Sequence, residues 1–99
     1  MSKKVLNVGD DQAFWFKDWD GNVSFVAHNL REFKEAIKTV PENSLEFHLR
    51  EDKNDFSAWL YTVMKSKELA ISVESVKQKQ LAGEKLRKAL LHCFRARRR

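Results

Sequence analysis

A chain of 99 residues, 42% of them hydrophobic and 33% charged, is one small domain with enough apolar side chain for a core. That balance excludes a disordered chain, and no apolar run approaches the roughly 18 residues of a membrane span. The net charge of +5 conceals a split: residues 85–99 hold seven of the nineteen basic side chains and no Asp or Glu, which leaves residues 1–84 with twelve basic against fourteen acidic.

Residues 1–11 show little pattern and read as a flexible leader that turns acidic at Asp10-Asp11, too early for a secretory signal. Gln12 to Val26 reads as a β-hairpin. Phe14 and Phe16 fall on one strand face and Trp15 and Lys17 on the other. Asp20-Gly21-Asn22 supplies the positive-φ residues of a tight turn, and Val23, Phe25 and Ala27 alternate with Ser24 and Val26 in the second strand.

Asn29 can cap a helix whose apolar face is Leu30, Phe33, Ala36, Ile37 and Val40, and Pro41 stops it. Ser44 to Arg50 alternates again, with Leu45, Phe47 and Leu49 opposite Ser44, Glu46, His48 and Arg50, which predicts a third short strand. Asn54 caps the next helix, with Asp55 in its first turn and a stripe of Phe56, Trp59, Leu60, Val63 and Met64. After a break at Lys65-Ser66, Leu69, Ala70 and Val73 suggest a further helical turn or two. Ser75 and Gln78 fit a capping box that opens a long C-terminal helix with Ala82, Leu86, Ala89, Leu90, Cys93 and Phe94 on its apolar face. Gly83 inside it weakens the helix by about 1 kcal/mol against alanine. The sum is an α+β domain over residues 12–94: an aromatic hairpin and a third strand packed on three to four helices, then an arginine tail at 95–99.

Phe47-His48, Asn54-Asp55-Phe56-Ser57-Ala58-Trp59-Leu60 and Leu69-Ala70 together resemble a pattern in small archaeal and bacterial proteins of uncharacterised function. The resemblance spans roughly residues 14–94. It implies a compact α+β domain from a prokaryotic, archaeal source and supplies no activity, because the family has no settled one.

Catalysis is not expected. His48 sits near Asp52 and Asp55, yet a metal would need three or four converging ligands. The plainer role for His48 is a hydrogen bond to Asp55 or to backbone that fixes the turn into the helix. His92 and Cys93 are neighbours and point about 100° apart on a helix, so they are no nucleophile–base pair. Cys93 reads as a buried inert thiol, and His28 as a surface residue at a strand end. Gly9, Gly21 and Gly83 are too scattered for a phosphate loop, and no cofactor, metal or small-molecule substrate is predicted. One cysteine excludes an internal disulfide and suits a reducing cytoplasm.

Two binding roles remain. Lys85, Arg87, Lys88, Arg95, Arg97, Arg98 and Arg99 are candidates for contact with the phosphates of RNA, DNA or a ribonucleoprotein, at low sequence specificity. Lys85, Lys88, His92 and Arg95 would form one row along the helix, beside the apolar stripe. The other role is a protein-interaction module using Trp15, Trp19 and His48 or a free sheet edge. The acidic residues around the hairpin make it a poor platform for RNA. A membrane role is weak, since Leu91 is nearly alone as an outward apolar residue.

Overall fold

The computed structural model describes residues 6–95. Two strands, β1 (Phe14–Lys17) and β2 (Val23–Ala27), lead five helices: α1 (Leu30–Thr39), α2 (Glu42–His48), α3 (Asp55–Thr62), α4 (Lys67–Gln78) and α5 (Gly83–Arg95). The fold is α+β, as the pattern of the sequence predicts. The hairpin forms for the expected reason. Gly21 takes φ +86, and the Asp18 carboxylate accepts from the backbone N–H groups of Asp20 and Asn22 at 2.9 and 3.0 Å. The strands pair antiparallel from Phe14 opposite Ala27 to Lys17 opposite Val23, with an irregularity after Phe16.

The third strand does not form; residues 42–48 are α2. Alternation of apolar residues fits a strand, but the buried positions are Ser44, Leu45 and His48, the i, i+1, i+4 set of a helix face. Pro41, with φ −59, sits at the start, where its fixed dihedral favours a helix and its missing N–H is no loss. Tertiary bonding settles the matter. The Ser44 hydroxyl donates to the Lys17 carbonyl at 2.9 Å, and the Lys17 N–H donates to His48 Nε2 at 2.9 Å. Two side chains four residues apart on α2 thus satisfy the outer edge of β1, the place a third strand would have taken.

The caps Asn29 and Asn54 form as read, accepting from Glu32 and Ser57 N–H at 2.8 and 2.9 Å. The expected capping box at Ser75 does not form, because Ser75 lies within a continuous twelve-residue α4. The chain turns later, at Gln80 with φ 56 and Gly83 with φ 60. The apolar spacing of Val73 and Val76 carries α4 through Ser75, and both are buried. Gly83 is therefore no flaw within a helix but the residue that opens α5, its N–H donating to the Glu46 carboxylate at 2.9 Å.

Aromatic side chains dominate the core. Phe16, Phe33 and Phe56 are almost fully buried, and Phe14 lies 4.7 Å from Phe16 between ring centres. Trp59 stacks on Phe33 at 5.2 Å and 15°. The Trp59 indole N–H donates to the Gln12 carbonyl at 2.8 Å, which ties the segment before β1 to α3. Within the expected leader, the Val8 N–H donates to the His28 carbonyl at 2.9 Å. Ser57 and Asn54 bind α3 to α4 through the Ala70 carbonyl and the Glu74 carboxylate, each at 2.6 Å.

Gly83→Ala gives a direct check on the α4–α5 turn. A methyl group there would meet only Glu42 Oε1 at 3.5 Å, an ordinary contact, so the strain lies in the positive φ. The variant is expected to lose about 1–2 kcal/mol in urea unfolding. A gain in stability, the normal result of glycine to alanine within a helix, would show that residue 83 is helical instead.

Candidate functional site

On α5 Leu86, Leu90 and Cys93 face the core, Ala89, Leu91 and Phe94 pack partly buried beside them, and the remaining face is turned outward. Lys85, Lys88, His92 and Arg95 are all exposed, at the i, i+3, i+7, i+10 spacing of a single row. With a rise of about 1.5 Å per residue the row is about 15 Å long. None of the four forms an ion pair among the described residues. Arg87 behaves differently. Its Nη1 donates to the Ile37 carbonyl at 2.9 Å, its Nε lies 3.7 Å from Glu84, and its side chain is mostly buried. Arg87 therefore binds α5 to the end of α1 and is withdrawn from the row. Arg97, Arg98 and Arg99 lie outside the described residues.

The hairpin presents a second surface. Trp15 and Trp19 are 40% and 59% exposed, as the strand alternation predicts. Trp19 meets Phe47 edge-on at 5.3 Å, and the Arg50 guanidinium lies 4.1 Å from the Phe47 ring and 5.8 Å from that of Trp19. A cavity of about 430 Å³ opens between Trp15 and Lys17 on one side and Phe47 and Arg50 on the other, with His48 and Asp55 deeper in. A strand over residues 44–50 buries Phe47, so its place at this surface does not follow from that reading, whereas Arg50 is on the polar face in either case. A helix counted from Pro41 would have placed Phe47 away from Ser44, Leu45 and His48, a signal present in the sequence.

His48 lies behind this cavity and is 4% exposed. A backbone N–H can bond only to a lone pair, so Nε2, which receives the Lys17 N–H, is unprotonated. The proton is on Nδ1 and goes to Asp55 Oδ2 at 2.9 Å. Burial pushes the His48 pKa below its ordinary value of 6.5, against the opposing pull of Asp55. Both nitrogens are engaged within the fold. The hydrogen bond to Asp55 is the plainer role read from the sequence.

His28 has the opposite setting. Its Nε2 faces Asp10 Oδ1 at 2.7 Å and its Nδ1 faces Glu32 Oε1 at 3.0 Å. Two carboxylates ask both nitrogens to donate, which favours the imidazolium. The bonds to Asp10 and then Glu32 raise its pKa above 6.5, while bonds from the His28 backbone and ring hold Glu32 low. Cys93 is buried, its thiol pushed up by that burial and directed at the Ala89 carbonyl at 3.6 Å. Among the described residues no group of three or more His, Cys, Asp or Glu is placed to hold a metal ion, and no helix is long and apolar enough to cross a membrane.

Compared with known proteins, residues 9–95 match the Family of unknown function (DUF5752). No curated protein and no solved structure matches.

The two histidines set the pH dependence of stability from opposite sides. His28, raised, contributes stability that is present below pH 6.5 and lost as pH rises through its folded value. His48, lowered, favours the neutral folded form, so stability is lost as pH falls below 6.5 toward its folded value. Imidazole carbon shifts followed by NMR should show His28 titrating above 6.5 and His48 below it. His28→Asn should flatten the alkaline limb of a urea-midpoint profile and leave the acid limb in place. The reverse order of titration would refute both assignments.

Proposed function

Because the chain belongs to the Family of unknown function (DUF5752), its role is read from its own surface, and we propose that it is a non-catalytic protein that binds nucleic acid through the phosphate backbone. The observation that carries this reading is the row of Lys85, Lys88, His92 and Arg95, exposed together on a helix whose opposite face is anchored in the core. Binding through such a row leaves Leu86 and Leu90 in place, so recognition and folding do not compete. The arginines at 97, 98 and 99 extend the same run of charge in sequence. A row of about 15 Å can meet about four phosphates along one strand of a duplex, at about 3.4 Å of axis each. Charge supplies affinity here and little choice of sequence, because base edges are read by groups placed in a groove. RNA, DNA or a ribonucleoprotein would satisfy the same chemistry. The single buried thiol is in keeping with a cytoplasmic setting.

A salt titration of fluorescence anisotropy on mixed RNA and DNA tests the reading. The logarithm of affinity should fall linearly with the logarithm of salt, by about 0.9 per duplex phosphate contacted. Changing Lys85, Lys88 and Arg95 together to Gln should reduce that slope and the affinity. Arg87→Gln should instead cost about 1 kcal/mol of stability, through the lost bond to Ile37, with the slope unchanged. Affinity insensitive to salt, or a slope altered as much by Arg87→Gln as by the row, would overturn it.

A protein partner at the hairpin is the second reading, favoured by one observation: Trp15, Lys17, Phe47 and Arg50 surround a single cavity with Trp19 packed against Phe47. Exposed tryptophan beside a stacked arginine is the composition of an interface anchor. A photo-cross-linking side chain at position 19 should then trap a protein, and one at position 88 nucleic acid. Nucleic acid trapped at both positions would remove the second reading.

A further inference from the structure

We propose that the groove between α4 and α5 is an oxyanion seat that holds one phosphate group, either of a bound strand or free in solution. As a seat for the strand it rests on the phosphate-binding reading above and adds where one phosphate is held.

The groove is a cavity of about 430 Å³, within the range of small-ligand pockets. Ser72, Ser75 and Lys79 enter it from α4 and the residue after it, at the i, i+3, i+7 spacing that brings side chains onto one helix face. His92 enters from α5. Two hydroxyls, an ammonium and an imidazole therefore line one space, and all four can donate hydrogen bonds. Among the described residues none of the four side chains has a hydrogen-bond or ion-pair partner. The hydroxyls of Ser72 and Ser75 could each have bonded back to a carbonyl of α4, the usual resort of serine within a helix, and neither does.

The acids of these helices stay out of the lining. The Glu74 carboxylate is engaged by Asn54 and Gln78, each at 2.6 Å, and Glu84 lies beside Arg87. The floor is apolar, formed by buried Val76 and Cys93. Burial keeps the Cys93 thiol protonated, so the floor carries no negative charge. The phosphodiester of a strand offers acceptor oxygens and no donor, and inorganic phosphate is chiefly an acceptor, which suits a space where all four polar side chains can donate. His92 belongs to both the groove and the exposed row. A strand lying along Lys85, Lys88 and Arg95 can place a phosphate in the groove without leaving the row.

The row and the groove have different chemistry. Lysine and arginine at a surface hold a phosphate by charge and let it slide, whereas hydroxyls donate along defined directions. The groove would therefore set the register of a strand that the row only attracts.

The test uses the full chain and two probes, inorganic phosphate and an oligo-dT strand, followed by two-dimensional amide NMR. Phosphate should move the signals of Ser72, Ser75 and His92 to saturation, and oligo-dT should move the same signals together with those of Lys85 and Lys88. A variant with Ser72→Ala, Ser75→Ala and Lys79→Gln removes two hydroxyl donors and one positive charge that have no partner among the described residues, so its thermal midpoint should be kept. It should lose the phosphate response and bind oligo-dT about tenfold or more weakly, the equivalent of one charge-assisted hydrogen bond. Wild-type affinity for oligo-dT and an unchanged phosphate response in this variant, with oligo-dT binding still lost in the Lys85, Lys88 and Arg95 variant, would overturn the seat and leave the phosphate-binding reading intact. Saturable phosphate shifts at the groove without any binding of oligo-dT would establish the seat for free phosphate and overturn it as a seat for a strand. No response to either probe would overturn the seat altogether.

Discussion

The backbone of Lys17 is gripped on its outer side by two side chains of α2, and the arrangement of the other elements follows from that grip. A sheet of two strands is barely stable alone and leaves a row of unpaired N–H and C=O groups at each edge. At β1 the edge is closed by Ser44, which donates to the Lys17 carbonyl, and by His48, which accepts the Lys17 N–H. His48 passes the constraint onward, since its other nitrogen donates to Asp55 in the first turn of α3. One imidazole thereby fixes the distance between hairpin, α2 and α3, and Phe14, Phe16 and Phe56 pack around its ring at 4.7 to 6.0 Å. A strand in place of α2 would have satisfied the same edge but could not have delivered a side chain from there to Asp55.

The consequence for function is a division of labour among faces. With hairpin, α1 and α3 committed to the aromatic core, α5 is held through Leu86, Leu90 and Cys93 on one side and through the bond of Arg87 to Ile37 on its flank. Ala89, Leu91 and Phe94 are partly buried against the core as well, and the face left to solvent carries Lys85, Lys88, His92 and Arg95. That is why seven basic side chains in the last fifteen residues are not equivalent. Arg87 is a structural tie, whereas Lys85, Lys88 and Arg95 form an exposed row together with His92, which also lines the groove with α4.

The charge row was legible because it depends only on helical spacing: once Leu86, Leu90 and Cys93 mark the buried stripe, the outward positions follow. Trp15 and Trp19 were legible from strand alternation in the same way. Arg87 was not, because its partner is a carbonyl fifty residues earlier in the chain. Nor was Phe47, because period two places it on the buried face of a strand where the chain uses period 3.6. Lys79 and His92 line one groove only because α4 and α5 pack side by side, and no local pattern announces that.

Local chemistry determined the hairpin at Gly21, the caps at Asn29 and Asn54, the stop at Pro41 and the buried face of each long helix. These depend on groups within a few residues of one another, where dihedral preference and side-chain reach decide the outcome. Pro41 favours a helix after it, but tertiary structure decided whether residues 44–50 would be strand or helix. An alternating heptapeptide satisfies either pattern, and the unmet edge of β1 selected the helix able to hold Lys17 and Asp55 at once. It also decided where α4 ends, since the Glu46 carboxylate that receives the Gly83 N–H comes from 37 residues away and stabilises a turn the local sequence only permits.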